Sequence, residues 1–260
     1  QDSVVLEKFD EYWGTPAQLD QVTFKIIENA DSLLMSLQSG AIDLCAHLTS
    51  TQVAQLGEDF DVAEGTMNLV QALYLNNAVQ PFDNELVRQA LCYAIDKQGI
   101  IDLAFDGYGS PIGSSMYPAF GKYFDESLTD YYPHDTEKAK ELLAQAGYPD
   151  GVEVELYYGT YGVMQAECEL IQAQAKEAGF NIKLVGMDGA SVKTLWALQN
   201  PDAPAGMRLQ NNIIPKSDPY TQMEYIFGEN AIQNCSRWID AEYQELLRQV
   251  KVTFDRDEAK

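Results

Sequence analysis

Val22, Phe24 and Ile26 alternate with polar residues after the Thr15-Pro16 turn signal, a period of two that predicts a half-buried strand. Ala30, Leu33, Leu34 and Leu37 then take helical spacing, and Gly40 stands where a left-handed cap belongs. Ile42 and Leu44 read as a returning strand, so residues 21–45 predict a strand–helix–strand unit. Met67, Leu69, Leu73 and Leu75 mark a longer strand that ends at Asn76-Asn77. Pro81 stops it, Asp83 is placed to cap the next helix, and Leu86, Ala90, Leu91, Ala94 and Ile95 form that helix's apolar stripe.

From Gly107 to Pro133 no period is visible, and the stretch reads as a long ordered loop of the kind that carries function. Asp135 and Gly147 bracket a helix with Ala139, Leu142, Leu143 and Ala146 on one face. Val152, Val154, Leu156 and Tyr158 alternate as a strand. Met164, Cys168, Ile171 and Ala175 face one side of a helix ending at Gly179, and Phe180, Ile182 and Leu184 make the next strand. Residues 200–219, with four prolines and three asparagines, read as loop. Tyr243, Leu246, Leu247 and Val250 close with an amphipathic helix. Strands alternating with helices give the α/β class.

Composition narrows the partners. The chain has 260 residues, 46% of them hydrophobic, which suits a globular protein and not a disordered one. Forty acidic residues against 17 basic ones leave a net charge of −23, a surface that repels phosphate backbones and anionic lipid, so no nucleic-acid partner is expected. No run reaches the roughly 18 apolar residues of a membrane-spanning helix. The chain opens on Gln1-Asp2-Ser3 and stops at Asp257-Glu258-Ala259-Lys260 inside a helical pattern, which reads as a piece of a longer protein.

Enzyme and metal signals are absent from the sequence. Cys45, Cys92, Cys168 and Cys235 form no CxxC, and neither His47 nor His134 stands at a zinc-ligand spacing from them. They read as buried free thiols, with a disulfide of open pairing as the alternative for an exported protein. His134 reads as a solvated loop residue and His47 as a structural one. Ser110 precedes a proline and follows no strand, so Gly109-Ser110-Pro111-Ile112-Gly113 is no nucleophile elbow. No cofactor and no metal site is expected. Fifteen tyrosines, several in predicted loops, lean instead towards recognition, since each pairs an apolar ring with one polar tip.

Six segments in order resemble one family. They are Tyr12-Trp13-Gly14-Thr15-Pro16; Leu37-Gln38-Ser39-Gly40-Ala41-Ile42-Asp43; Leu75-Asn76-Asn77 leading to Pro81-Phe82; Val87-Arg88-Gln89-Ala90-Leu91 with Ala94-Ile95-Asp96-Lys97; Gly107-Tyr108-Gly109-Ser110-Pro111; and Glu137 through Tyr148. Together they resemble the extracytoplasmic solute-binding proteins of oligopeptide, dipeptide and nickel ABC importers, solute-binding family 5, from about residue 9 onward.

The resemblance implies a periplasmic-binding-protein-like α/β fold of type II. Residues 1–76 would be part of the first lobe and residues 77–260 most of the second, in a protein roughly twice this length. It implies a non-catalytic, monomeric carrier in the periplasm, or a lipoprotein at the cell surface. Such a carrier captures a peptide-like solute between its lobes and hands it to an ABC permease. Loops at strand ends would line the ligand: Asn76, Tyr108, Gly109, Tyr158, Tyr161, Asn211, Asn212 and Asp218. Peptide-binding relatives hold the ligand's ammonium with an acid four positions before the proline of the last loop, where this chain has Pro215, with Asp218 downstream as a substitute. An oligosaccharide or a nickel chelate is therefore the alternative solute, and an α/β hydrolase using His47 or His134 the alternative class.

Overall fold

The computed structural model describes residues 2–253 except 28, 47, 66–68, 198–199, 214–217 and 232. His47 and Pro215 thus lie outside the described residues. The chain divides into two compact units, residues 1–66 and 67–260.

In the smaller unit β1 (Ser3–Glu7) and β2 (Gln21–Lys25) pair antiparallel, with Ser3 opposite Lys25 and Glu7 opposite Gln21. The expected half-burial of β2 does not appear: all five of its residues are exposed, because a lone hairpin buries neither face. Asn29 caps α1 (Ala30–Gln38), its side chain accepting the Ser32 N–H at 2.8 Å, and Gly40 follows at φ +72°. The returning strand at Ile42 and Leu44 is absent. The N–H groups of Ala41 and Ile42 both donate to Ser36 O, at 2.9 and 3.2 Å, and a backbone that spends its donors closing a helix has none for a sheet. Leu44 is left 86% exposed. A four-residue helix, α2 (Ser50–Val53), starts on a capping box between Thr49 and Gln52.

The larger unit is built on a four-stranded sheet. Its elements run β3 (Leu69–Leu75), α3 (Glu85–Ala94), α4 (Lys97–Ala104), α5 (Thr136–Gln145), β4 (Val152–Gly159), α6 (Met164–Glu177), β5 (Phe180–Met187), α7 (Gly189–Leu195), β6 (Met207–Ile213), α8 (Pro219–Phe227) and α9 (Ala241–Val252). The strand order is β3-β6-β4-β5, with β4 parallel to both β5 and β6, and β3 antiparallel to β6. β3 pairs along its whole length with β6 inside the larger unit.

One face of the sheet packs on α3, α5 and α6. Val87, Ala90 and Leu91 of α3, Leu142 and Leu143 of α5, and Cys168, Ile171 and Ala175 of α6 meet Leu156, Phe180 and Met207 of the strands. Full burial of each large side chain stabilises by roughly 1.5–3 kcal/mol. The other face carries a second cluster of Tyr74, Val192, Trp196, Ile226 and Cys235. Asn84, and not Asp83, caps α3, since its side chain accepts the Leu86 N–H at 2.9 Å.

The stretch expected to be loop at 200–219 contains the central strand. In β6 the apolar positions Met207 and Leu209 fill the core, while Pro201 and Pro204 before it and Pro219 after it mark its borders. Pairing on both sides, not local propensity, makes it a strand. Asp218 then caps α8, accepting the Thr221 N–H at 2.9 Å, with Pro219 in the first helical position.

The long loop is ordered, with 3-10 turns at Pro118–Tyr123 and Glu126–Leu128. Met116 and Phe120 anchor it against Val70 of β3 and Met223 of α8. Gly113 presses so closely on the chain ahead that a Cβ there would stand 1.6 Å from Leu128 O.

Candidate functional site

β4, β5 and β6 run the same way and end at Gly159, Met187 and Ile213, while β3 runs against them and begins on that edge at Leu69. One edge of the sheet thus collects the segments after three parallel strands, where ligands settle in open α/β sheets. Tyr158, the penultimate residue of β4, has its side chain buried on the α6 side, and burial, then Cys168 and Glu169, push its phenol above the ordinary range. Tyr161 follows in the next turn, half exposed. Its ring lies across Gly159 and Gly189, so that a Cβ at Gly159 would stand 2.1 Å from a ring carbon. Glycine at 159 is what lets the ring approach the strand end so closely. In register, Asn211 stands opposite Gln71 and Asn212 opposite Val70. Asp218 enters from beyond β6 as the α8 cap.

The remaining expected residues lie apart from this edge. Asn76 follows the C-terminal end of β3, at the opposite edge, and is 1% exposed. Its Nδ2 donates to Pro204 O at 2.8 Å, its Oδ1 accepts from Ala78 N at 3.2 Å, and its own N–H donates to Gly206 O at 3.1 Å. Tyr108, 63% exposed, and Gly109 cover α4: the Tyr108 N–H donates to Phe105 O at 2.8 Å, and Gly109 sits against the Ile101 side chain.

Sequence reasoning missed two groups beside this edge. The first is the soft apolar cluster of Val70, Met116, Tyr117 and Met223, with Ser115 Oγ 3.1 Å from Met223 Sδ. The second is Glu167 on α6, 5% exposed, whose Oε2 accepts from Gln71 Nε2 of β3 at 2.9 Å. An acid three residues after Met164 inside an apolar helical stripe was the available signal.

His134 lies on the exposed approach to α5, its Nε2 3.4 Å from Thr136 Oγ1. Among the described residues no group of three or more His, Cys, Asp or Glu is placed to hold a metal ion, and no helix is long and apolar enough to cross a membrane.

The profile described as "Bacterial extracellular solute-binding proteins, family 5 Middle" matches residues 1–234. The chain belongs to this family. Among family 5 relatives, it is similar to heme-binding protein A of Haemophilus influenzae, 30% identical over 257 residues that cover 96% of this chain and 46% of the relative. It is similar to the dipeptide-binding protein of Escherichia coli K12, 28% identical over 262 residues, 96% of this chain and 47% of that one. Its fold matches the ABC transporter-associated periplasmic binding protein DppA from Helicobacter pylori in complex with peptide STSA. That match has a TM-score of 0.81 at 25% identity and covers 99% of this chain and 50% of that one. This family 5 chain therefore spans about half the length of the relatives it matches, and its architecture is that of a periplasmic binding protein.

Proposed function

We propose that this chain is part of the solute-binding subunit of an ABC importer. The whole protein captures a peptide-like solute between two lobes outside the cytoplasm and passes it to membrane permease subunits, making and breaking no bond. Residues 1–76 belong to the first lobe and 77–260 form most of the second. The whole carrier works as a monomer, in the periplasm or as a lipoprotein on the cell surface. The observation that carries the reading is the family profile spanning residues 1–234, and a relative named for dipeptides and a neighbour bound to the peptide STSA point to the solute class.

Closure over the edge formed by β4, β5 and β6 would exclude water around the solute, which suits reversible capture. Tyr158, Tyr161, Asn211, Asn212 and Asp218 are the proposed contacts at that edge, with Tyr108, Gly109 and Asn76 contributing from their loops. A second reading, a non-peptide solute, is favoured by Pro215 standing where peptide binders carry an acid, and by the relative named for heme.

The test is a thermal-shift and calorimetric screen of the full-length protein against di- and tripeptides, glutathione, heme, oligosaccharides and a nickel–histidine chelate. A ligand present at 100 times its Kd adds about 2.7 kcal/mol to the folded state. A shift with peptides is expected. A shift with heme, sugar or chelate alone overturns the peptide assignment, and silence towards every class overturns the carrier reading.

A further inference from the structure

Among the described residues, Glu167 is the most deeply buried acid. It stands in the first turn of α6, 5% exposed, on the side of the helix that packs on the sheet. Its described hydrogen-bond partner is the Gln71 amide, whose Nε2 donates to Oε2 at 2.9 Å and also lies 3.6 Å from Met164 Sδ. The other end of that amide, Gln71 Oε1, is buried and has no donor. An ionised Glu167 leaves two faults at once: a buried anion without a cation, and a buried carbonyl without a hydrogen bond. Each is costly in a low-dielectric interior. One proton on Glu167 repairs both, because a carboxylic acid can donate to Oε1 while accepting from Nε2.

We propose that Glu167 is a proton-binding site, its neutral acid pairing reciprocally with the Gln71 amide to tie β3, the strand that enters the larger unit from the smaller one, to α6. The surroundings agree. On α6 the neighbouring titratable groups are Cys168 and Glu169, and β4 brings Tyr158, which feels both of them. α3, α4 and β5 supply no charge that offsets the carboxylate among the described residues, so burial dominates, opposed by the Gln71 bond, and the carboxyl is pushed up to about 7 from 4.5.

A folded-state value above the unfolded one means that the folded chain holds the proton more tightly. The stabilisation is complete below pH 4.5 and is lost as pH rises through about 7. Between about pH 5 and about pH 8 this single site shifts the folding equilibrium towards the unfolded chain by roughly 70-fold.

The experiment measures urea unfolding of the chain across that range, beside the Glu167→Gln variant, which keeps both hydrogen bonds as an amide pair and cannot titrate. Expected is a stability that falls with pH in the parent chain more steeply than in the variant, the difference approaching that 70-fold. Equal pH dependence in the two overturns the proposal. A carbon-13 titration of the Glu167 carboxyl in the parent chain decides the matter should the variant not fold. A midpoint near 7 supports the site, and one near 4.5 ends it.

Discussion

Replacing Asn76 with alanine removes both ends of a bracket that joins the exit of β3 to the entrance of β6. Asn76 Nδ2 reaches Pro204 O at 2.8 Å across a long sequence gap, and Oδ1 takes the Ala78 N–H at 3.2 Å. Ala78 is exposed, so its N–H can turn to water and the loss there is about 1 kcal/mol. Pro204 is half buried, and its carbonyl loses a partner with less access to solvent, for about 1–2 kcal/mol. The sum, about 2–3 kcal/mol, corresponds to a fall in Tm of roughly 4–12 °C for a unit of this size. Urea unfolding followed by circular dichroism should show the midpoint fall with an unchanged m-value. Asn76→Asp should cost at least as much, since it keeps the acceptor for Ala78 but sets a carboxylate against the Pro204 carbonyl. A loss below about 0.5 kcal/mol for alanine would refute the bracket.

Gly113→Ala should destabilise the long loop severely, because its Cβ would sit 1.6 Å from Leu128 O and a backbone atom cannot rotate aside; limited proteolysis between residues 107 and 133 should accelerate several-fold relative to the parent chain. An unchanged digestion pattern would show that the loop does not need this contact. The thiols of Cys168 and Cys235 are buried and pushed above the ordinary range mainly by that burial, so a thiol-reactive dye should label them only as the chain unfolds. Native-state labelling of both at the rate of a free thiol would contradict their placement in the core.

Helices with punctuation at both ends were legible. Asp135 and Gly147 mark α5 to within a residue, and Gly40 marks the end of α1, because caps act on their own neighbours. β4 and β5 were legible from alternation, since β4 buries Val152, Val154, Leu156 and Tyr158 and β5 buries Phe180 and Ile182. β6 was not, because Asn211 interrupts the apolar alternation of Met207, Leu209 and Ile213, and the asparagines are strand residues by virtue of pairing with β3. Ile42 and Leu44 misled for the converse reason: two apolar residues at strand spacing count for nothing once Ser36 O has taken their segment's donors. Of the expected contacts, Tyr158 and Tyr161 lie at the edge that strand direction would favour. Asn76 lies at the other edge, because an antiparallel β3 reverses which end of the strand is which, and direction is not written in a hydrophobic pattern. The Glu167–Gln71 pair joins residues nearly a hundred positions apart, a relation that only the register of β3 against the sheet creates.

The position of β6 has a kinetic side. It lies in the middle of the sheet yet is the last of its four strands to be synthesised, and it pairs Leu69 with Ile213 across most of the larger unit. β4, α6 and β5 are adjacent in sequence and can assemble as soon as they emerge from the ribosome. β3 emerges first and waits. Joining ends so far apart adds little to the equilibrium cost, since loop-closure entropy grows only with the logarithm of length, but it slows the search. During that wait β3 and the inner side of β4 are open templates for other chains, the form in which nascent β-proteins aggregate. A truncation that ends before residue 207 would therefore make the wait permanent, and slow synthesis or a chaperone that shields β3 should raise the yield of folded protein.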